Sequence, residues 1–202
     1  MQFNYSEHSR WMQDRGDETH RLNYPLDSNS IVLDAGGYHG EWAQKINEKY
    51  GSEVYVLEPI SSYYNGLLEK FKDNESIRVF NFGLSSAPGR FSINLDNASS
   101  SLYKPGTGKE EIEISTLDLF MMKEGIEEID LFKINIEGSE FDLLEDIINK
   151  GIQTKIKNIQ VQFHVFVQNC ESRRDWIREE LSKTHECVYN YEYIWEGWKI
   201  KE

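Results

Sequence analysis

The sequence predicts an α/β domain of Rossmann-like type, a mostly parallel, twisted sheet that ends in an antiparallel C-terminal hairpin. Three observations carry this. An apolar run, Ile31 to Leu33, closes on Asp34 and a glycine-rich turn, Gly36, Gly37 and Gly40, and a second apolar run closes on Glu58. The order strand, helix, strand, helix, strand then continues as far as Gly83, which calls for parallel strands joined by right-handed crossovers. Finally, the aromatic-rich stretch CVYNYEYIWEGWKI near the C-terminus reads as strands meeting in a hairpin.

With 202 residues, the whole chain (1–202) is expected to form one domain with a real core. Residues 1–30 are polar with scattered aromatics. They read as a surface arm or as a lid over the site, the lid being favoured because Trp11, Leu22 and Tyr24 need somewhere to pack. The next unit, residues 31–59, is the plan of a nucleotide-binding βαβ motif, whose glycines let the backbone approach a ligand at the carboxyl edge of the sheet. In a dinucleotide site the turn reads G-x-G-x-x-G and a pyrophosphate meets the helix N-terminus. Here an acid comes first, in Asp34-x-Gly36-Gly37-x-x-Gly40, and a carboxylate there suits a ligand carrying an amine and a cationic sulfur. Glu58 stands where such units hydrogen-bond ribose hydroxyls. Together the two acids point to S-adenosylmethionine.

Apolar residues at Trp42, Ala43, Ile46 and Tyr50, with Gly51 as stop, predict a helix, and SEVYVLEP predicts the second strand. Residues 61–72 repeat the helical spacing, and IRVFNFG reads as one strand ending near Gly83. FSINL and EIEIS look like short strands around the loop NASSSLYKPGTGK, which is long enough to be functional or disordered. Ser115-x-x-Asp118 is expected to cap a short helix stopped by Gly125. IDLFKINIEGSE is then a strand ending in Asn135 and Glu137, with Ser139-x-x-Asp142 as a capping box for the next helix. In NIQVQFHVFV, residues 158–167 read as one alternating strand, with Gln160, Gln162 and His164 on the polar face, as an open substrate cleft would require. Ser172-x-x-Asp175 is expected to cap the last helix.

Composition narrows the function. With 22 basic and 35 acidic residues the net charge is −13, which opposes binding to nucleic acid or an anionic membrane surface and favours a neutral small-molecule or glycan acceptor. No apolar stretch approaches a membrane span, and MQFNYSEHSRW lacks a signal pattern, so a soluble, cytoplasmic protein is expected. Cys170 and Cys187 form neither a disulfide framework nor a zinc motif.

Between residues 28 and 200 the motifs LDAGGYHG, LEP, NFGLSS, SSSL, STLD, FKINIEGSEFDLL and IQVQFHVF together resemble the FkbM-type methyltransferases. The resemblance implies a class I S-adenosylmethionine fold and O-methylation of a hydroxyl on a sugar, glycan or natural product. It places Pro59, Gly83 and Leu84 beside Asp34, Gly36, Gly37, Gly40 and Glu58 around the cofactor. Asn135, Glu137 and His164 become the catalytic candidates, with His164 as general base oriented by Glu137 and, as the blander reading, a histidine held by Gln160 or a backbone carbonyl. The commonest family pattern carries Asp at position 135. Asparagine is the weaker ligand, so a divalent metal on Asn135, Glu137 and His164 is possible but not favoured. Ser101, Tyr103, Trp195 and Trp198 are candidates for contact with the acceptor, the aromatics by stacking on a sugar ring or by attracting the sulfonium, although packing in the core is the favoured reading of Tyr103, Trp195 and Trp198. Two rival readings are a methyltransferase-like binding module without turnover and a nicotinamide oxidoreductase, against which the turn opens on Asp34 and no Tyr-x-x-x-Lys pair occurs.

Overall fold

A computed structural model describes residues 4–95 and 108–202. In chain order the elements are α1 (Tyr5–Gln13), β1 (Ile31–Ala35), α2 (Glu41–Tyr50), β2 (Glu53–Leu57), α3 (Ser61–Phe71), β3 (Ile77–Phe80), β4 (Gly83–Leu84), β5 (Gly89–Leu95), β6 (Gly108–Ser115), α4 (Leu117–Glu124), β7 (Leu131–Ile134), α5 (Glu140–Asn149), β8 (Asn158–Val161), α6 (Cys170–Leu181), β9 (His185–Tyr191) and β10 (Trp195–Ile200). Seven strands form the main sheet in the order β3-β2-β1-β7-β8-β10-β9. The first five are parallel, and β10 runs antiparallel between β8 and β9. The expected C-terminal hairpin is therefore present, with its last strand inserted into the sheet.

A parallel strand covered on both faces must be apolar on both. Val32, Val54, Val56 and Leu131 pack on Trp42 and Ile46 of α2 and Leu67 and Phe71 of α3. Their neighbours Leu33, Ala35, Leu57, Phe132 and Ile134 point the other way, onto α4, α5 and α6.

Several sequence expectations need correction. IRVFNFG is not one strand: Asn81 turns its amide onto the backbone oxygens of Glu58 and Pro59, both at 3.0 Å, and ends β3. Gly83 and Leu84 instead join a second sheet, β4-β6-β5. Gly108 and Lys109, assigned to the long loop, begin β6, and the rest of that loop lies outside the described residues. The strand expected over 158–167 stops at Val161. Gln162 still donates its N–H to Ile134 O at 3.0 Å, but the next backbone donor on that side, His164, is taken by a carboxylate of α5. The capping serines fail as well. Thr116 and Asn169 stand at the N-caps where Ser115 and Ser172 were expected, and Ser139 makes no side-chain cap bond.

The described part of the N-terminal arm is a strap. Trp11 packs with Tyr191, Ile194 and Trp195 of the hairpin region. Tyr24 meets Tyr189, hydroxyl to hydroxyl, at 3.0 Å. Trp42 and Tyr50 of α2 donate to the backbone oxygens of Arg21 and Leu22 at 3.0 and 2.8 Å.

Candidate functional site

The sheet order reverses where β1 lies between β2 and β7, and ligands of open α/β sheets bind at such a point beyond the carboxyl ends of the strands. A cavity of about 220 Å³ lies there. Gly36 from the turn after β1, Glu58 and Pro59 after β2, and Asn135, Glu137 and Ser139 after β7 line one part of it. The small sheet closes another side with Gly83, Leu84, Ile93, Ile112 and Ile114. None of the described arm residues lines it.

Glu58 is the polar anchor of this wall. Its carboxylate is 4 % exposed and accepts the N–H of Tyr38 at 2.9 Å and of Ile60 at 3.0 Å. Burial raises its pKa, and those two backbone donors draw it back toward the ionised form. Beside it, Tyr38 and Tyr63 meet edge to face with centroids 4.8 Å apart.

The glycines of the turn divide. Gly36 lines the cavity with φ 87°, and a Cβ there would sit 2.0 Å from Asn135 O, so close approach to the turn after β7 demands glycine. Gly37 and Gly40 face the core beneath α3 instead: a Cβ on Gly37 would meet Val56 of β2 at 2.3 Å and Leu67 of α3 at 3.2 Å, and one on Gly40 would meet Leu67 and Phe71 at 2.7 Å. Asp34 does not line the cavity either. It lies opposite Lys133 in the β1–β7 register, and its Oδ1 accepts from Lys133 Nζ at 2.7 Å. The same ammonium donates to Gly36 O at 2.7 Å, tying this internal pair to the turn. Burial pushes the aspartate pKa up and the lysine pKa down, and each is drawn back by the other's charge.

Asn135 Oδ1 is buried without a hydrogen-bond partner among the described residues, on a residue of the cavity wall. Glu137 follows with φ 50°, a left-handed conformation rare outside glycine. His164 stands beyond the end of β8 in irregular backbone, not on a strand face as the alternation implied. Its Nε2 is 3.3 Å from Glu137 Oε1 and its Nδ1 2.9 Å from Glu140 Oε1. Burial opposes a charge on the ring, but the Glu140 charge and the hydrogen bonds to Glu137 and Glu140 outweigh it and push the pKa up to about 10. At neutral pH the ring is an imidazolium, the opposite of the state a general base needs. Gln160 is not its partner, since its amide donates to Tyr189 OH at 3.1 Å.

The two carboxylates lie on opposite nitrogens of the ring and do not converge on one point. No group of three or more His, Cys, Asp or Glu among the described residues is arranged to hold a metal. Trp195 and Trp198 are core residues, 5 % and 3 % exposed, and neither lines the cavity. Ser101 and Tyr103 lie outside the described residues.

Sequence reasoning missed Lys133 and Glu140. A lone lysine inside the apolar run IDLFKINI was a usable signal, because a buried ammonium needs a counter-ion and Asp34 is the acid of the central strand. Nothing comparable marked Glu140, which reads as an ordinary acid of a helix's first turn.

A family model described as the methyltransferase FkbM domain matches residues 34–191. A search of curated proteins found no relative. Among solved structures, the fibrillarin pre-rRNA processing protein of Methanococcus jannaschii is 14 % identical over 89 % of this chain and 70 % of its own, with a TM-score of 0.53. TrmK of M. capricolum, in complex with S-adenosyl-homocysteine, is 16 % identical over 92 % of this chain and 66 % of its own, with a TM-score of 0.50. A protein provisionally named an rRNA methylase, from Clostridium thermocellum, is 8 % identical over 94 % of this chain and 96 % of its own, at a TM-score of 0.59. At these identities the likeness is one of fold, that of class I methyltransferases.

Proposed function

The chain belongs to the FkbM methyltransferase family, and we propose that it moves the methyl group of S-adenosylmethionine to a hydroxyl of a sugar, glycan or small natural product. The observation that carries this reading is the cavity at the carboxyl ends of β1, β2 and β7. There the buried Glu58 carboxylate, the Asn135 Oδ1 that has no hydrogen-bond partner among the described residues, and the half-buried Glu137 share one wall. Glu58 offers acceptor oxygens to ribose hydroxyls, with Gly36 and Pro59 beside it and Gly83, Leu84 and the three isoleucines forming an apolar wall. Asn135 Oδ1 fits a cationic or amine-bearing ligand, since a buried carbonyl oxygen without a donor is costly until one arrives. The bound cofactor supplies a methyl group on a cationic sulfur.

The protein's own work is to exclude water, to hold the acceptor oxygen in line and to take its proton. Orientation of this kind contributes about 7–11 kcal/mol. A placed base adds about 100- to 10,000-fold. With His164 held as a cation, the base is assigned to Glu137, and Asn135 shares the reacting side. Among the described residues no helix is long and apolar enough to cross a membrane. Cytoplasmic residence is part of the proposal, supported by the net charge of −13 and by Cys170 and Cys187 standing unpaired. That charge also weighs against RNA as acceptor, although several proteins of similar fold are named for RNA.

The test is a methyl-transfer assay on free hexoses, 6-deoxyhexoses and their short oligomers, read by release of S-adenosylhomocysteine. Turnover on a sugar hydroxyl is expected. Binding of S-adenosylmethionine without transfer to any hydroxyl would make the chain a binding module, and transfer to RNA alone would overturn the acceptor.

A further inference from the structure

Glu140 opens α5 with a side chain that is 0 % exposed. A buried carboxylate costs several kcal/mol unless it is paired and hydrogen-bonded, and here both oxygens are committed. Oε2 accepts the N–H of Gly138 at 2.9 Å. Oε1 accepts the backbone N–H of His164 and faces its ring Nδ1, each at 2.9 Å. One side chain therefore grips both segments that form the reacting side. It holds the turn in which Glu137 (φ 50°) and Gly138 (φ 109°) are left-handed, and the chain leaving β8. With Nδ1 on Glu140, the other ring nitrogen is left facing Glu137 Oε1 at 3.3 Å. The imidazole is a bridge between a carboxylate outside the cavity lining and one inside it.

We propose that Glu140 is a positioning residue for methyl transfer. Acting through His164, it fixes the Glu137 carboxylate in the cavity wall as the group that takes the proton of the acceptor hydroxyl. The inference rests on the methyl-transfer reading above. As the acceptor oxygen bonds to the methyl carbon and the carbon–sulfur bond breaks, the bonding pair stays on sulfur and the hydroxyl proton passes to Glu137. Glu137 then returns that proton to water. Among the described residues the charged groups facing the imidazole are Glu137 from the turn after β7 and Glu140 from α5, and Phe166 lies against the ring with centroids 5.2 Å apart. Held between two carboxylates, the ring stays cationic through neutral pH and donates to Glu137 from Nε2, keeping that carboxylate aimed.

The test uses Glu140→Gln, which keeps the shape and an acceptor oxygen but removes the charge. Affinity for S-adenosylhomocysteine, measured by calorimetry, should stay within about twofold, while kcat on the best saccharide of the panel falls at least about 10-fold with KM little changed. The alkaline fall of kcat should move toward neutral pH by about one unit or more, because the imidazole now loses its proton earlier. Glu140→Asp should restore part of kcat and return the alkaline limb upward. A Glu140→Gln enzyme with an unchanged pH profile, or one whose loss is equal at every pH and tracks its melting temperature, overturns the proposal. If that variant does not fold, the wild-type His164 ring decides by NMR titration: a midpoint near the ordinary value of about 6.5 overturns it, and one above about 9 supports it. A wild type that binds S-adenosylhomocysteine but methylates no hydroxyl of the panel removes the methyl-transfer reading and this role with it. Normal turnover in Glu140→Gln removes this role alone.

Discussion

Asp34 and Glu58 are alike as sequence, each an acid closing an apolar strand of one sheet, and both end up buried, at 1 % and 4 % exposure. Their partners make them different. Asp34 meets an ammonium on the neighbouring strand and becomes internal wiring, joined through Lys133 to the carbonyl of Gly36. Among the described residues Glu58 meets only backbone N–H groups as hydrogen-bond donors, and its carboxylate stays in the cavity wall. An acid at a strand tip thus serves the ligand or the fold according to what the adjacent strand sets opposite it.

Removing each acid should separate these roles. Asp34→Ala leaves Lys133 buried and unpaired, a loss that costs about 3–5 kcal/mol of stability when one partner of a buried pair is deleted. Chemical denaturation should show it, and the double change Asp34→Leu with Lys133→Met should be milder, since replacing both charges removes the orphan. A single mutant that unfolds like wild type but binds S-adenosylhomocysteine far more weakly would return Asp34 to the ligand.

Glu58→Ala should behave in the opposite way. The fold is expected to survive, with affinity for S-adenosylhomocysteine weakened by roughly 1.5–3 kcal/mol, the range for losing a hydrogen bond to a charged group. An unchanged dissociation constant would take Glu58 out of the site and collapse the contrast with Asp34.

Such a distinction hides from sequence because it depends on register. The βαβ plan, the parallel strands and the C-terminal hairpin were legible from apolar runs and glycines, since hydrophobic periodicity is a property of one segment. Which residue faces Asp34 is a property of two, and Lys133 lies 2.7 Å from it across the β1–β7 pair. The alternation in residues 158–167 failed for a similar reason. Apolar residues at 163 and 167 are indeed buried, at 2 % and 5 % exposure, but they are buried from irregular backbone because Glu140 captures the His164 N–H that a longer strand would use. Trp195 and Trp198 pack into the core, the favoured reading of two large aromatics, and not beside the cavity as the sugar platforms they could also have been.

The ion pairs differ in their response to pH as well. His164 has a folded-state pKa near 10 against an ordinary 6.5, so its contribution to stability is fully present below about pH 6.5 and is lost as pH rises through 10. One proton sets the steepest slope at about 1.4 kcal/mol per pH unit. Denaturation at pH 7, 8 and 9 should show stability declining in wild type and a flatter curve in His164→Gln. Equal slopes would mean that His164 is not held as a cation.

The smallest effect is expected from chelation. The resemblance to FkbM-type enzymes left a metal open at Asn135, Glu137 and His164, but the imidazole is engaged at both nitrogens by separate carboxylates. A metal there would have to strip Nε2 from Glu137 and break that contact with the imidazolium, and neutral Asn135 adds no charge in exchange. Sites for hard divalent ions are built from several oxygens, carboxylates foremost, converging on one point. Activity is therefore expected to survive EDTA, with turnover changed by less than about twofold, against the 100-fold scale on which loss of an essential group is felt. Loss of activity on chelation, restored by magnesium or manganese, would mean that the Glu137–His164 contact opens when the site is filled. Glu137 would then be a ligand, and the base would have to be sought elsewhere.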